Sequence, residues 1–480
     1  MNDASRPTNV RYMVLAALSA AAAIAYVQRP LMGAAATVVR VEHGFTLSQM
    51  GVLLSSWLWT YAALQIPAGL LADRWGARRA LALYCAVWSL ATMLIPFAPS
   101  FGLMCSLGFV FGAAQAGIFP SAAIIVRQWF PPQNRGFATG CVAAFQQVGG
   151  GLAAILGGFW VAAYLGLWQP DWMAAEKVAV PVLPGWLVDL SDDSNGTVRR
   201  LFHWRGMFVW FSVPGLIWSV WFLFWYRDNP NDHPAMNDAE RSLLPRDLSA
   251  KSTVGQETVN VPTREGNLWR AMLTSRTMWL ISAQQFFRGF SYIFYVTWFP
   301  TYLKNARGLP VEKSGMITGL MFLAALLGAL LGGGISDGIL ARTGSRRIAK
   351  QGMAFVSLVG AALFLASSYL VSSVTAAVTV LFIGSFMAAL AGPIGYSVTI
   401  DISGRQTATV FGGMNMAGNI GAALFPIVVP VLLNIPERLG LSFSGWDLVL
   451  FVFAGTYLAA AACWILLNPN GTIFDEARNV

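Results

Sequence analysis

Gly69-Leu70-Leu71-Ala72-Asp73-Arg74-Trp75-Gly76-Ala77-Arg78-Arg79 closes an apolar run over residues 48–71. The same chemistry returns after the run at 314–335, as Gly334-Ile335-Ser336-Asp337 and then Arg342-Thr343-Gly344-Ser345-Arg346-Arg347. An acid at such a helix end can accept hydrogen bonds from a neighbouring helix N-terminus. The arginines behind it meet helix C-termini and lipid phosphates. One copy reads as a topology anchor; two in equivalent positions are the mark of a duplicated membrane bundle. Asp73, Arg74, Gly76, Arg78, Asp337 and Arg346 are therefore candidate conformational residues.

Working outward, ten more apolar runs are long enough to cross a roughly 30 Å hydrocarbon core. The twelve runs predict an all-α membrane protein with two pseudo-symmetric six-helix halves. The first half takes residues 1–226, with an outer insertion at about 166–203, and the second takes 277–480. Between them, 227–276 is rich in Asn, Asp, Ser and Pro and reads as a cytoplasmic linker, with one short helix beginning near Asn237. The Ala-rich first run is too long for a signal peptide and reads as the first span. Of the 31 Lys and Arg, roughly twice as many fall on the side of the N-terminus as on the other. That bias predicts cytoplasmic termini in a multi-pass cell-membrane protein. The insertion carries Trp168, Trp172, Trp186 and the sequon Asn195-Gly196-Thr197, and reads either as a cover on the outer mouth or as a solvated loop.

The chain is 56% hydrophobic and 11% charged. Its net charge of +9 follows from topology, and no basic patch interleaved with aromatics suggests nucleic acid. Cys85, Cys105, Cys141 and Cys463 all fall inside predicted spans, and His43, His203 and His233 lie in loops or at a helix end. No metal-ligand spacing, cofactor motif or Ser/His pair emerges, which argues against an enzyme. Hydropathy places none of the 22 acids in a span core, yet it places Arg29 and Arg288 there. A cation in hydrocarbon is costly and marks a functional site facing the bundle interior. With no carboxylate as standing partner, an exchangeable anion completes it, and a guanidinium fork suits carboxylate or phosphate. Tyr26, Gln28, Tyr61, Gln65 and Gln115 are candidates to line the first half of the site; Tyr292, Tyr295, Trp298, Thr399, Asn415 and Asn419 are candidates for the second. Hydroxyls and amides of this kind fit a polyhydroxylated ligand.

The paired loops resemble the major facilitator superfamily. Further segments sharpen that to the anion:cation symporter family, which includes hexuronate and galactonate carriers: Tyr26-Val27-Gln28-Arg29, Tyr61 to Gly69, Gly117-Ile118-Phe119-Pro120, Trp129-Phe130-Pro131 and His203-Trp204-Arg205. In the second half they are Thr297 to Leu303, Asp401 to Arg405, and Gly413 to Asn419. The resemblance implies that Tyr26, Arg29, Tyr61 and Asn415 contact a sugar acid, that Arg29 holds its carboxylate, and that the protein works as a monomer.

The chain also departs from that family. Proton-coupled members carry an acid before the span 1 arginine and a glutamate in span 4, where this chain has Gln28 and Gln115; an arginine of the family is here Gly108. Carboxylate-based proton symport therefore does not carry over; uptake would need a steep gradient, a counter-anion or a cation bound by neutral oxygens, and the expectation is facilitated diffusion or anion exchange, with export open. The expected function is transport of small organic anions, most of all sugar acids, by alternating access. The alternatives are a sensor on the same fold and a carrier of sugar phosphates or other carboxylates.

Overall fold

The computed structural model describes residues 6–164, 204–244, 265–309, 311–440 and 442–478. The insertion at about 166–203, with its tryptophans and sequon, lies outside the described residues. Among those that are described, nine helices are long and apolar enough to cross a membrane, and a bent pair, Thr407–Phe425 with Ile427–Leu439, makes a tenth. Two more paths complete the twelve, and each is broken: Leu47–Ala63 with Gln65–Trp75 (span 2), and Arg276–Thr297 with Phe299–Arg307 (span 7). These two are less apolar because they carry polar and aromatic side chains toward the bundle interior.

Span 1 comprises Val10–Gln28 and Leu31–His43, broken at Arg29-Pro30. Proline lacks the N–H that would continue the ladder, so the break falls beside the arginine. Span 3 is Ala77–Leu94, span 4 Phe101–Gln115 with Ile118–Trp129, span 5 Arg135–Tyr164 and span 6 Trp204–Trp225. In the second half, span 8 is Val311–Thr343, span 9 Met353–Ser367 after a π-helical turn, and span 10 Val374–Ile402. Span 11 is Thr407–Leu439 and span 12 Gly445–Leu466.

Span 1 packs on span 5, span 3 on span 6, span 7 on spans 11 and 12, and span 8 on span 10. The halves meet where span 5 lies on spans 8 and 10, and where the second helices of spans 2 and 4 lie on span 11. Those contacts gather toward the end of the bundle where span 2 ends and spans 5 and 11 begin.

The repeated loops build this seam twice. Asp73 accepts from the backbone N–H of Ala408 (3.0 Å) and Thr409 (2.8 Å) and from the Thr409 hydroxyl (2.7 Å), at the start of span 11. Asp337 accepts from Phe137 N–H (2.7 Å) at the start of span 5 and pairs with Lys350 at 2.7 Å. Free amides of a helix's first turn and its positive end both favour a carboxylate there. Four residues before each acid a glycine lets the opposite helix close in. A Cβ at Gly69 would strike the Ala408 carbonyl, and one at Gly333 the Gly136 carbonyl. Asp337 is buried well inside the span 8 helix, so the hydropathy boundary at 335 cuts that helix short.

Candidate functional site

Arg29 sits at the break in span 1, where its side chain turns into the bundle. Its guanidinium carbon lies 4.1 Å from the centre of the Tyr26 ring, 4.6 Å from Tyr61 and 5.4 Å from Trp57. Its Nε donates to Gln115 Oε1 at 2.6 Å, and Gln115 Nε2 in turn donates to the Ala25 carbonyl at 3.2 Å. Its Nη2 is buried without a hydrogen-bond partner. Aromatic faces stabilise a cation, but they do not satisfy an N–H donor. Among the described residues no ion pair includes Arg29 or Arg288. The cluster thus holds a positive charge with neutral groups and keeps one donor open.

Arg288 lies on span 7, the counterpart of span 1, but inside its first helix and well before that span's break at Trp298, and it is housed differently. Its Nε donates to Gln285 Oε1 at 3.2 Å, one turn earlier on the same helix. The Tyr396 ring centre is 5.8 Å away, and the absence of a side chain at Gly392 makes room for Nη1. Tyr292 follows Arg288 by four residues and so shares its helix face, and its hydroxyl crosses to span 5 to donate to Gln147 Oε1 at 3.0 Å. A second link across the halves runs from Asn415 Nδ2 to Gln65 Oε1 at 3.1 Å. Gln65 Nε2 and Asn419 Nδ2 are both buried without partners.

Several candidates read from the sequence come together here: Tyr26, Arg29, Tyr61 and Gln115 in one cluster, Arg288 and Tyr292 facing it, and Gln65 with Asn415 at the seam. Two lie elsewhere. Gln28 turns away from Arg29 into the packing of spans 1, 3 and 6, donating to the Phe211 carbonyl (2.9 Å) and accepting from Thr92 (3.3 Å). Tyr295 is buried among Phe294, Phe299 and Phe453 within the second half. Sequence reasoning passed over Trp57, Tyr396 and Gln147. Trp57 precedes Tyr61 by four residues and so shares its helix face, a signal that points to it.

Of the conformational candidates, Asp73 and Asp337 form the seam described above. Arg346 lies 3.9 Å from Asp401, which also pairs with Arg135 at 2.5 Å across the halves. Gly76 opens span 3 at a φ of 84°, beside the Asp228 carboxylate that receives Arg78 N–H at 2.9 Å. Arg78 Nε donates to the Leu223 carbonyl at 2.6 Å. Arg74 lies on the last turn of span 2.

Residues 15–426 match the family model of the Major Facilitator Superfamily, and the chain belongs to that family as a multi-pass membrane protein. It is 29% identical over 464 residues to the probable sulfoacetate transporter of Cupriavidus necator, covering 96% of this chain and 95% of that one. It is 27% identical over 480 residues to the probable galactarate/D-glucarate transporter of Bacillus subtilis, covering 98% and 94%. Among solved structures, the Escherichia coli fucose:proton symporter superposes with a TM-score of 0.63 at 15% identity, over 98% of each chain, a likeness of fold alone.

Proposed function

We propose that the chain carries small organic anions, chiefly sugar acids and related carboxylates, across the cell membrane by alternating access. The observation that carries this reading is the Arg29 cluster: a half-buried guanidinium with a neutral amide on one nitrogen, aromatic faces around it and one buried N–H donor, Nη2, open. A carboxylate completes that hydrogen bonding with an ionic bond. The polar groups of Tyr61, Tyr292, Gln65 and Asn415 stand ready for hydroxyls. Relatives named as probable transporters of sulfoacetate and of galactarate or D-glucarate support the substrate class. On this reading both termini are cytoplasmic, the halves 1–226 and 277–480 rock about the site, and the protein works as a monomer. The seam through Asp73 and Asp337 is then the cytoplasmic gate in its closed state.

Coupling follows from charge. Gln115, the partner of Arg29, does not titrate, so anion release is not tied to a proton there. One charge crossing 100 mV costs about 2.3 kcal/mol, so a monoanion moving alone runs outward from a negative interior. Exchange against a second anion of equal charge removes that cost. Proteoliposomes loaded with a sugar acid test this: counterflow of labelled sugar acid is expected with no pH gradient. Accumulation driven by external acidification would overturn the exchange mechanism, and absence of counterflow for every carboxylate tried would overturn the substrate class.

A further inference from the structure

Asn229-Pro230-Asn231 follows span 6, and Asn468-Pro469-Asn470 follows span 12. Both make the same turn, with the N–H of Asn231 donating to Asn229 Oδ1 and that of Asn470 to Asn468 Oδ1, each at 3.1 Å. A short helix comes next in each case. Asp238–Arg241 is capped by Asn237, which accepts from Glu240 N–H at 3.0 Å. Ile473–Arg478 is preceded by Thr472, whose hydroxyl accepts from Asp475 N–H at 3.3 Å.

Each short helix then presents one glutamate to the first turn of the first span of its own half. Glu240, with no exposed surface, accepts from Thr8 Oγ1 (2.6 Å), Val10 N–H (2.9 Å) and Arg11 N–H (3.0 Å) at the start of span 1. Span 1 makes no side-chain cap of its own, because Asn9 stands at its start with a φ of 60°. Glu476 accepts from Ser275 Oγ (2.6 Å), Thr277 N–H (3.1 Å) and Thr277 Oγ1 at the start of span 7. Burial alone raises the Glu476 carboxyl, but the hydroxyls of Ser275 and Thr277 and the Thr277 amide outweigh it and hold it below the usual glutamate range. A cap from the same helix stabilises only that helix. These caps come from more than 190 residues away in sequence, so they tie the two ends of a six-helix half together.

We infer that Glu240 and Glu476 are positioning residues: each clasps the arginine-bearing span of its half to the segment leaving that half's last span, so that the half moves as one body. The inference rests on the transporter reading for its effect on rate. Span 1 carries Arg29 and span 7 carries Arg288. A span free to slip at its first turn would let its arginine move independently of the helices that rock.

The test uses the full chain with Glu240→Gln, Glu476→Gln and the double substitution, glutamine keeping the size but offering a single acceptor oxygen. Hydrogen exchange is read first without any anion. Glu240→Gln is expected to speed exchange at least tenfold over 10–13 and leave 276–279 unchanged, and Glu476→Gln to do the reverse. Unchanged exchange at the clasped turn overturns the inference whatever the substrate. Galactarate, D-glucarate and sulfoacetate are then the probes for affinity and turnover. Each single variant is expected to lose about fivefold in turnover with affinity within twofold of the wild type. Full turnover in the double variant, or an affinity loss matching the rate loss, overturns the inference. A wild type that binds none of the probes sinks the proposed substrate class, while exchange still decides the clasps. If a glutamine variant does not fold, Thr8→Val and Thr277→Val each remove one bond from a clasp and are expected to show the same local pattern at smaller size.

Discussion

Arg29 and Arg288 lie on counterpart spans of the two halves, Arg29 at the break of span 1 and Arg288 within the first helix of span 7, and their surroundings differ. Among the described residues, Arg29 is enclosed by three aromatic rings and a glutamine from span 4, while Arg288 leans on a glutamine of its own helix with one ring at 5.8 Å. Three rings and an amide fix a guanidinium in one orientation, so little is left to order when an anion arrives. A side chain held by one bond can still swing. The asymmetry suits a site in which one arginine anchors the carboxylate and the other closes on it once the halves approach.

That contrast can be broken experimentally, beginning with the largest effect. Removing one partner of a buried charge pair costs roughly 2–5 kcal/mol, and 1.4 kcal/mol is about tenfold in affinity. Arg29→Ala is therefore expected to weaken anion binding by about 30-fold or more, read by calorimetry. Arg288→Ala is expected to cost about tenfold in affinity and more in transport rate, because a closing residue acts mainly after binding; equal losses at the two arginines would erase the distinction. Gln115→Glu places a competing carboxylate on Arg29 Nε. Binding at neutral pH should fall by about tenfold and recover as the pH drops, since protonating the new acid frees the guanidinium. A flat pH profile in that variant would mean that Gln115 does not tune Arg29. The smallest expected effect is from Trp57→Leu, which removes one ring face worth about 0.5–1 kcal/mol and should cost about threefold in affinity.

Most of the fold was legible because hydropathy reports span length directly, and because the paired Asp loops give away the duplication. The two least apolar spans, 2 and 7, fail a purely apolar criterion yet were found, since interruption by Tyr61, Gln65, Arg288 and Tyr292 did not hide the runs around them. What hydropathy cannot report is which way a side chain turns. Gln28 and Arg29 are adjacent, and adjacent helical residues do not share a face; once Arg29 faces the interior of the bundle, Gln28 must turn toward spans 3 and 6. Tyr295 lies near the bend of span 7 at Trp298, where neighbouring aromatics bury it. Tyr396 and Gln147 come from spans 10 and 5, and only the packing of those helices against the site brings them to it. The capping glutamates were hidden for a related reason: their partners are far away in sequence, and only the Asn-Pro-Asn repeat advertises them.

The most direct test of the central claim is ligand-dependent thermal stabilisation of purified protein against a panel of organic anions and neutral sugars, repeated with Arg29→Ala. Stabilisation by a carboxylate such as galactarate, D-glucarate or sulfoacetate, lost in the variant, is the predicted result. Stabilisation by neutral sugars alone, or by anions equally in both proteins, would contradict an arginine-anchored anion site.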